Sequence, residues 1–114
     1  MAKIKIVLSL FEEIKKKFKG EAHKIIDLLE TLEKNPHKGK LLGSVGGIVI
    51  KELKYKNFRF YFITDGYKLK VMDESKLIDL LITFVKMSDK KDQQKTIAEI
   101  KKILANFGPE SFKE

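Results

Sequence analysis

Of the 24 lysines and arginines in this chain, one is an arginine, Arg59. It sits inside a run of aromatics, Phe58, Phe60, Tyr61 and Phe62. A guanidinium offers a planar fork of donors that fits a phosphate two bonds at a time, whereas a lysine amine is a mobile point charge. The lysines already supply solubility, so an arginine in this setting points to anion recognition. Glu52, Lys54 and Tyr61 lie close by in sequence. Together they offer a carboxylate, an amine and a phenol for ion pairing or proton transfer.

Those residues need a scaffold that faces them the same way. Gly47 to Ile63 reads as two antiparallel strands. Successive side chains on a strand point to opposite faces. If Lys56 and Asn57 form a two-residue turn, Tyr55 opposes Phe58, Lys54 opposes Arg59 and Glu52 opposes Tyr61. One face then carries Leu53, Tyr55, Phe58, Phe60 and Phe62, which is a core. The other carries Glu52, Lys54, Arg59 and Tyr61, which is a phosphate site with a carboxylate beside it. The same alternation also fits a solvated strand face with cross-strand ion pairs. Lys51 falls on the core side, so its amine must snorkel outward or the register must slip by one residue.

The rest of the chain supplies the cover. Lys3 to Leu8 alternates and reads as a first strand. Ser9 and Glu12 have the spacing of a capping box, which predicts a helix to about Phe18. Gly20 breaks it, and a second helix is predicted from Glu21 to Glu33, before Pro36. Residues 37–47 are Gly-rich and basic but lack the order of a phosphate loop, and read as a connection. Asp65-Gly66 predicts a hairpin turn, with a strand from Tyr67 to Met72. Leu77 to Lys86 reads as a central strand. Ser88-Asp89 is expected to open a last helix over 90–106, with Ile97, Ile100, Ile103, Leu104 and Phe107 as its apolar stripe. Gly108-Pro109 ends it. The reading is one domain over 1–108 and a flexible tail over 109–114. About four antiparallel strands are expected, giving an α+β fold with helices covering the sheet.

Composition narrows the function classes. At 114 residues the chain holds one core. It has no cysteine, which removes disulfides, thiolate metal sites and thiol nucleophiles. No apolar run is long enough to span a bilayer and no signal peptide is evident, so a cytoplasmic protein is expected. The net charge of +8 favours an acidic partner, either nucleic acid or a protein. A lysine-rich thermophile surface accounts for it equally well. His23 reads as a surface residue of the second helix. His37 lies in a loop. The two are too far apart to suggest a zinc site.

The order of elements resembles the RelE/ParE superfamily of toxins from toxin–antitoxin pairs. Leu32-Glu33-Lys34-Asn35-Pro36, then Gly39 and Leu42-Gly43, is similar to that family's passage out of its helix hairpin. Glu52-Leu53-Lys54 and Phe58-Arg59-Phe60-Tyr61 resemble its central strand pair. Phe84-Val85-Lys86, with Lys90-Lys91 and Ile97-Ala98-Glu99-Ile100 beyond, is similar to the HigB-like branch. The resemblance implies an N-terminal strand and helix hairpin on a curled, mainly antiparallel sheet with a C-terminal helix. It implies a ribosome-dependent endoribonuclease that cuts mRNA in the A site, uses no metal or cofactor, and is neutralised by an acidic antitoxin. The chemistry would be attack by the RNA 2′-hydroxyl on the adjacent phosphate. Arg59 would stabilise the phosphorane, Lys54 and Lys86 would clamp it, and Glu52 would act as base or as an ion-pair partner. Tyr61, Lys51, Lys90 and Lys91 would contact RNA. The sequence departs from the family at Met87, which replaces a motif lysine, and at Lys54, where arginine is commoner. It also lacks a C-terminal catalytic tyrosine or histidine. A non-catalytic member of the same fold, a topoisomerase poison like ParE or a nucleic-acid binder, is the alternative.

Overall fold

The computed structural model describes residues 2–112. The order is β1 (Lys3–Ile6), α1 (Leu8–Phe18), α2 (Ala22–Glu30), β2 (Lys40–Val45), β3 (Ile48–Tyr55), β4 (Phe58–Asp65), α3 (Gly66–Val71), β5 (Leu81–Asp89) and α4 (Gln93–Phe107). Short 3₁₀ turns flank the helices, the last over Pro109–Phe112. The five strands form one sheet in the order β1-β5-β4-β3-β2. β1 runs parallel to β5 and the other neighbours are antiparallel. The fold is α+β with an open, mostly antiparallel sheet.

The β3–β4 hairpin has the expected register, with Tyr55 opposite Phe58, Lys54 opposite Arg59 and Glu52 opposite Tyr61. Lys56 takes the left-handed backbone conformation that its tight turn requires (φ +53°). Helices α1 and α2 lie on the face carrying Phe58, Phe60 and Phe62. Phe18 of α1 packs edge-on against Phe58, with ring centres 5.1 Å apart. Leu10, Ile14, Ile25, Leu29 and Leu32 are fully or almost fully buried there, with Phe60, Phe62 and Phe84. Each such side chain contributes about 1.5–3 kcal/mol on burial, so this layer dominates the hydrophobic drive. Lys56 pairs with Glu21 at 3.2 Å and ties the hairpin turn to the α1–α2 junction.

Helix α4 covers the opposite face. It buries Thr96, Ile97, Ile100 and Leu104. Phe107, expected in that stripe, is the last residue of the helix and is 72% exposed.

Several local expectations differ from the structure. Helix α1 starts at Leu8 with Val7 at the cap position, so Ser9 lies inside the first turn rather than capping it. Residues 40–45 are a strand, and Gly46 and Gly47 (φ +56° and +84°) make the two-residue turn into β3. The stretch after Asp65 is helical. The Asp65 carboxylate accepts hydrogen bonds from the Tyr67 and Lys68 amides, which starts α3 instead of a hairpin. Ser88 and Asp89 belong to β5, and α4 begins at Gln93. Of the expected tail over 109–114, residues 109–112 do not trail away, because Phe112 is buried in the core, and 113–114 lie outside the described residues.

Candidate functional site

Arg59 is buried, 7% exposed, on the face that α4 covers. Its Nη1 donates to the Asn57 carbonyl at a long 3.4 Å. Its Nε is buried and has no hydrogen-bond acceptor. No ion pair to Arg59 occurs among the described residues, although Glu52 lies on a neighbouring strand. A buried charge without a counterion is unfavourable by several kcal/mol.

Three further buried polar side chains share this face. Glu52 is 6% exposed, and its Oε1 accepts from Nε2 of Gln93, the first residue of α4, at 2.9 Å. The engaged carboxylate is thus drawn to the helix rather than to Arg59. The Tyr61 hydroxyl is fully buried, 2.7 Å from Ser88 Oγ. Ser88 in turn donates to the Asp89 carbonyl at 2.9 Å, which leaves Tyr61 as the donor of the first bond. Burial pushes the Tyr61 phenol above its ordinary pKa. The Ser88 bond opposes that shift, the Glu52 charge adds to it, and Arg59 opposes it. The phenol therefore holds its proton at neutral pH.

The presence of Ser88 and Lys86 on this face depends on an irregularity in β5. Tyr61 pairs with Lys86, but Phe62 pairs with Phe84, so Val85 is an extra, bulged residue. Strict alternation would send Lys86 and Phe84 to the same face. The bulge instead puts Phe84 in the aromatic core, against Phe62 at 4.9 Å, and turns Lys86 and Ser88 toward Arg59's face. Lys86 is partly exposed and lies 3.8 Å from Glu99 of α4.

Of the residues singled out from sequence, Arg59, Glu52, Tyr61 and Lys86 come to one face. That face is closed by α4, not open to solvent. Lys54 lies opposite Arg59 and is exposed. Lys90 and Lys91 are exposed in the turn between β5 and α4. Lys51 does not belong with them. It is buried on the α1–α2 side, donating to the His37 carbonyl at 2.9 Å with its amine over the Phe62 ring. Burial depresses its pKa. It holds the loop before β2, on the opposite face of the sheet from Arg59. Ser88 and Gln93 are the members that sequence reasoning missed. Nothing in their types marks them, and their places follow from the bulge and from the start of α4.

At the far end of the same sheet, a groove of about 330 Å³ opens between the strand ends and the 109–112 turn. Ile48, Ile63, Leu81 and Phe112 line its apolar part, and its charged lining is mixed, with Lys5 and Lys68 beside Asp65, Asp79 and Glu110. No group of His, Asp and Glu suited to a metal ion occurs among the described residues. No described helix is long and apolar enough to cross a membrane. No protein-family model matches the chain, and no curated protein or solved structure matches it either.

Proposed function

We propose that this chain is an RNA-cleaving toxin of the RelE-like kind, in which Arg59 holds the scissile phosphate. The observation that carries this reading is the uncompensated guanidinium of a buried arginine, with an unused Nε and no carboxylate partner among the described residues. Such a group is unfavourable in the free protein and is satisfied by a bound anion. The exposed amines of Lys54, Lys90 and Lys91 lie around the hairpin end of the sheet and would attract a polyanion. The excess of positive charge suits both mRNA in the ribosomal A site and an acidic antitoxin.

In this reaction the RNA 2′-oxygen attacks phosphorus and the bond to the 5′-oxygen breaks. The 2′-hydroxyl proton passes to Glu52 or to solvent. Arg59 and Lys86 stabilise the charge on the phosphorane. The leaving oxygen takes up a proton, which Tyr61, kept protonated by its burial, can give once uncovered.

A second reading is a binding module of the same fold that does not cut. The closure of α4 over Glu52 and Tyr61 favours it, since neither group meets solvent. Primer extension on an mRNA undergoing translation in vitro separates the two. The endonuclease reading expects ribosome-dependent cuts with the wild type and none with Arg59→Ala. Arg59-dependent RNA binding without cuts makes the binding module the answer.

A further inference from the structure

The anion site proposed for Arg59 is shut in the free protein, and what shuts it is an element with unequal ends. We infer that α4 is a lid over this site, latched at its N-terminal end by Gln93. The inference rests on the reading of Arg59 as an anion-binding residue.

Three observations carry it. First, the buried Nε of Arg59 has no partner, so the closed state leaves a strong donor unsatisfied. A ligand that satisfies it binds the open state better than the closed one, which is what shifting a two-state equilibrium requires. Second, the two ends of α4 are held differently. Beyond its C-terminus the chain turns at Gly108 (φ +78°) and buries Phe112, which anchors that end. At its N-terminus the side-chain ties are the Gln93–Glu52 bond to the sheet and the local bond from the Asp92 amide to the Asp89 carboxylate at 2.9 Å, with the looser Lys86–Glu99 contact further along. The four buried residues of α4 begin only at Thr96, so the first three residues of the helix bury no side chain fully. Third, that loosely held end adjoins the site. Ser88, two residues before the turn at Lys90, sits directly opposite Arg59 in the sheet. Lifting the first turns of α4 breaks the latch and exposes the cluster, while Ile100, Leu104 and Phe112 keep the rest of the helix seated.

The latch also explains why Glu52 does not neutralise Arg59 in the closed state: its carboxylate accepts from Gln93. Opening frees the carboxylate and the guanidinium together, so an anion at Arg59 and a base at Glu52 become available in one movement.

The test uses Gln93→Ala, Arg59→Ala and the double variant, with a 2′-O-methyl RNA oligonucleotide that cannot be cleaved. Affinity is read by fluorescence anisotropy and opening by hydrogen exchange at the first turns of α4. Gln93 is only partly buried, so the variant keeps the core. Losing one hydrogen bond raises a minor open population about fivefold, and apparent affinity rises by the same factor. The expected result is faster exchange at the start of α4, RNA binding about fivefold tighter in Gln93→Ala, and loss of that gain in the double variant. Faster exchange with unchanged, Arg59-dependent binding would overturn the lid while leaving the anion site standing. Binding that does not depend on Arg59 in either background would overturn both.

Discussion

Replacing Arg59 by methionine separates a functional arginine from a structural one, because the two roles predict opposite signs. Methionine keeps the unbranched apolar stem and removes the guanidinium. Among the described residues the guanidinium has a single long bond to Asn57 and one buried donor with nothing to bond. An unsatisfied buried donor costs about 1–3 kcal/mol. Exchanging buried ionic groups for apolar ones is often stabilising by about 1–4 kcal/mol. Taking about 2 kcal/mol and a urea dependence of roughly 1.5 kcal/mol per molar, the unfolding midpoint of Arg59→Met should rise by about 1 M. Circular dichroism against urea measures it, and anisotropy with the same variant should show weakened RNA binding. A structural arginine behaves otherwise: breaking a buried pair costs about 3–5 kcal/mol and drops the midpoint by roughly 2–3 M. A fall in the midpoint would therefore refute the view of Arg59 as an uncompensated charge held ready for a ligand.

Gly39→Ala is expected to destabilise by about 2–5 kcal/mol, from a left-handed backbone and an overfilled site. Its φ is +105°, and a methyl there would come within 2.9 Å of the Phe62 ring and 3.0 Å of the Glu52 carbonyl. Thermal unfolding checks this against Gly20→Ala, where the added methyl meets nothing and the change should stay within about 1 kcal/mol. Lys51 should leave an alkaline signature. Its buried amine loses its proton at lower pH than an unfolded lysine, so between those two values the unfolded chain holds more protons and stability rises with pH. Urea midpoints of wild type and Lys51→Met, compared from neutral pH toward the ordinary lysine value near 10.4, should converge upward for the wild type. A constant difference would show that the amine keeps its charge in the fold. Asp65→Ala removes the carboxylate that caps α3 and should cost about 1 kcal/mol, with faster hydrogen exchange confined to residues 66–71.

The hairpin was legible because two constraints agreed. Aromatic alternation fixed the faces, and a two-residue turn fixed the register, so Arg59, Glu52 and Tyr61 came out together. What alternation does not report is the traffic on the second face. A strand buried on both sides differs from a half-solvated one only in what covers it, and the cover, α4, comes from some thirty residues further on. Residues 40–45 hid as a strand because glycines at 43, 46 and 47 read as loop chemistry. Only the last two make a turn. Asp65-Gly66 is a case of shared chemistry: the same carboxylate that favours a hairpin also caps a helix, and the amides of Tyr67 and Lys68 took it. Lys51 was readable as a conflict in register but not in outcome, because the His37 carbonyl that receives it lies in a loop without a pattern of its own.

The extra residue at Val85 makes the polar cluster a matter of length rather than identity. Every side chain from Lys86 to Asp89 owes its direction to one unit of chain. A strand of the same length without the bulge would reverse their phase, so that Lys86 and Ser88 turn into the aromatic layer and Met87 faces the helix, whereas deleting Val85 sets Lys86 directly after Phe84 and keeps it on its present face. Substitutions along this segment can accumulate singly, each judged by its own contacts. Straightening the bulge at constant length is judged all at once, because it turns Lys86, Met87 and Ser88 together.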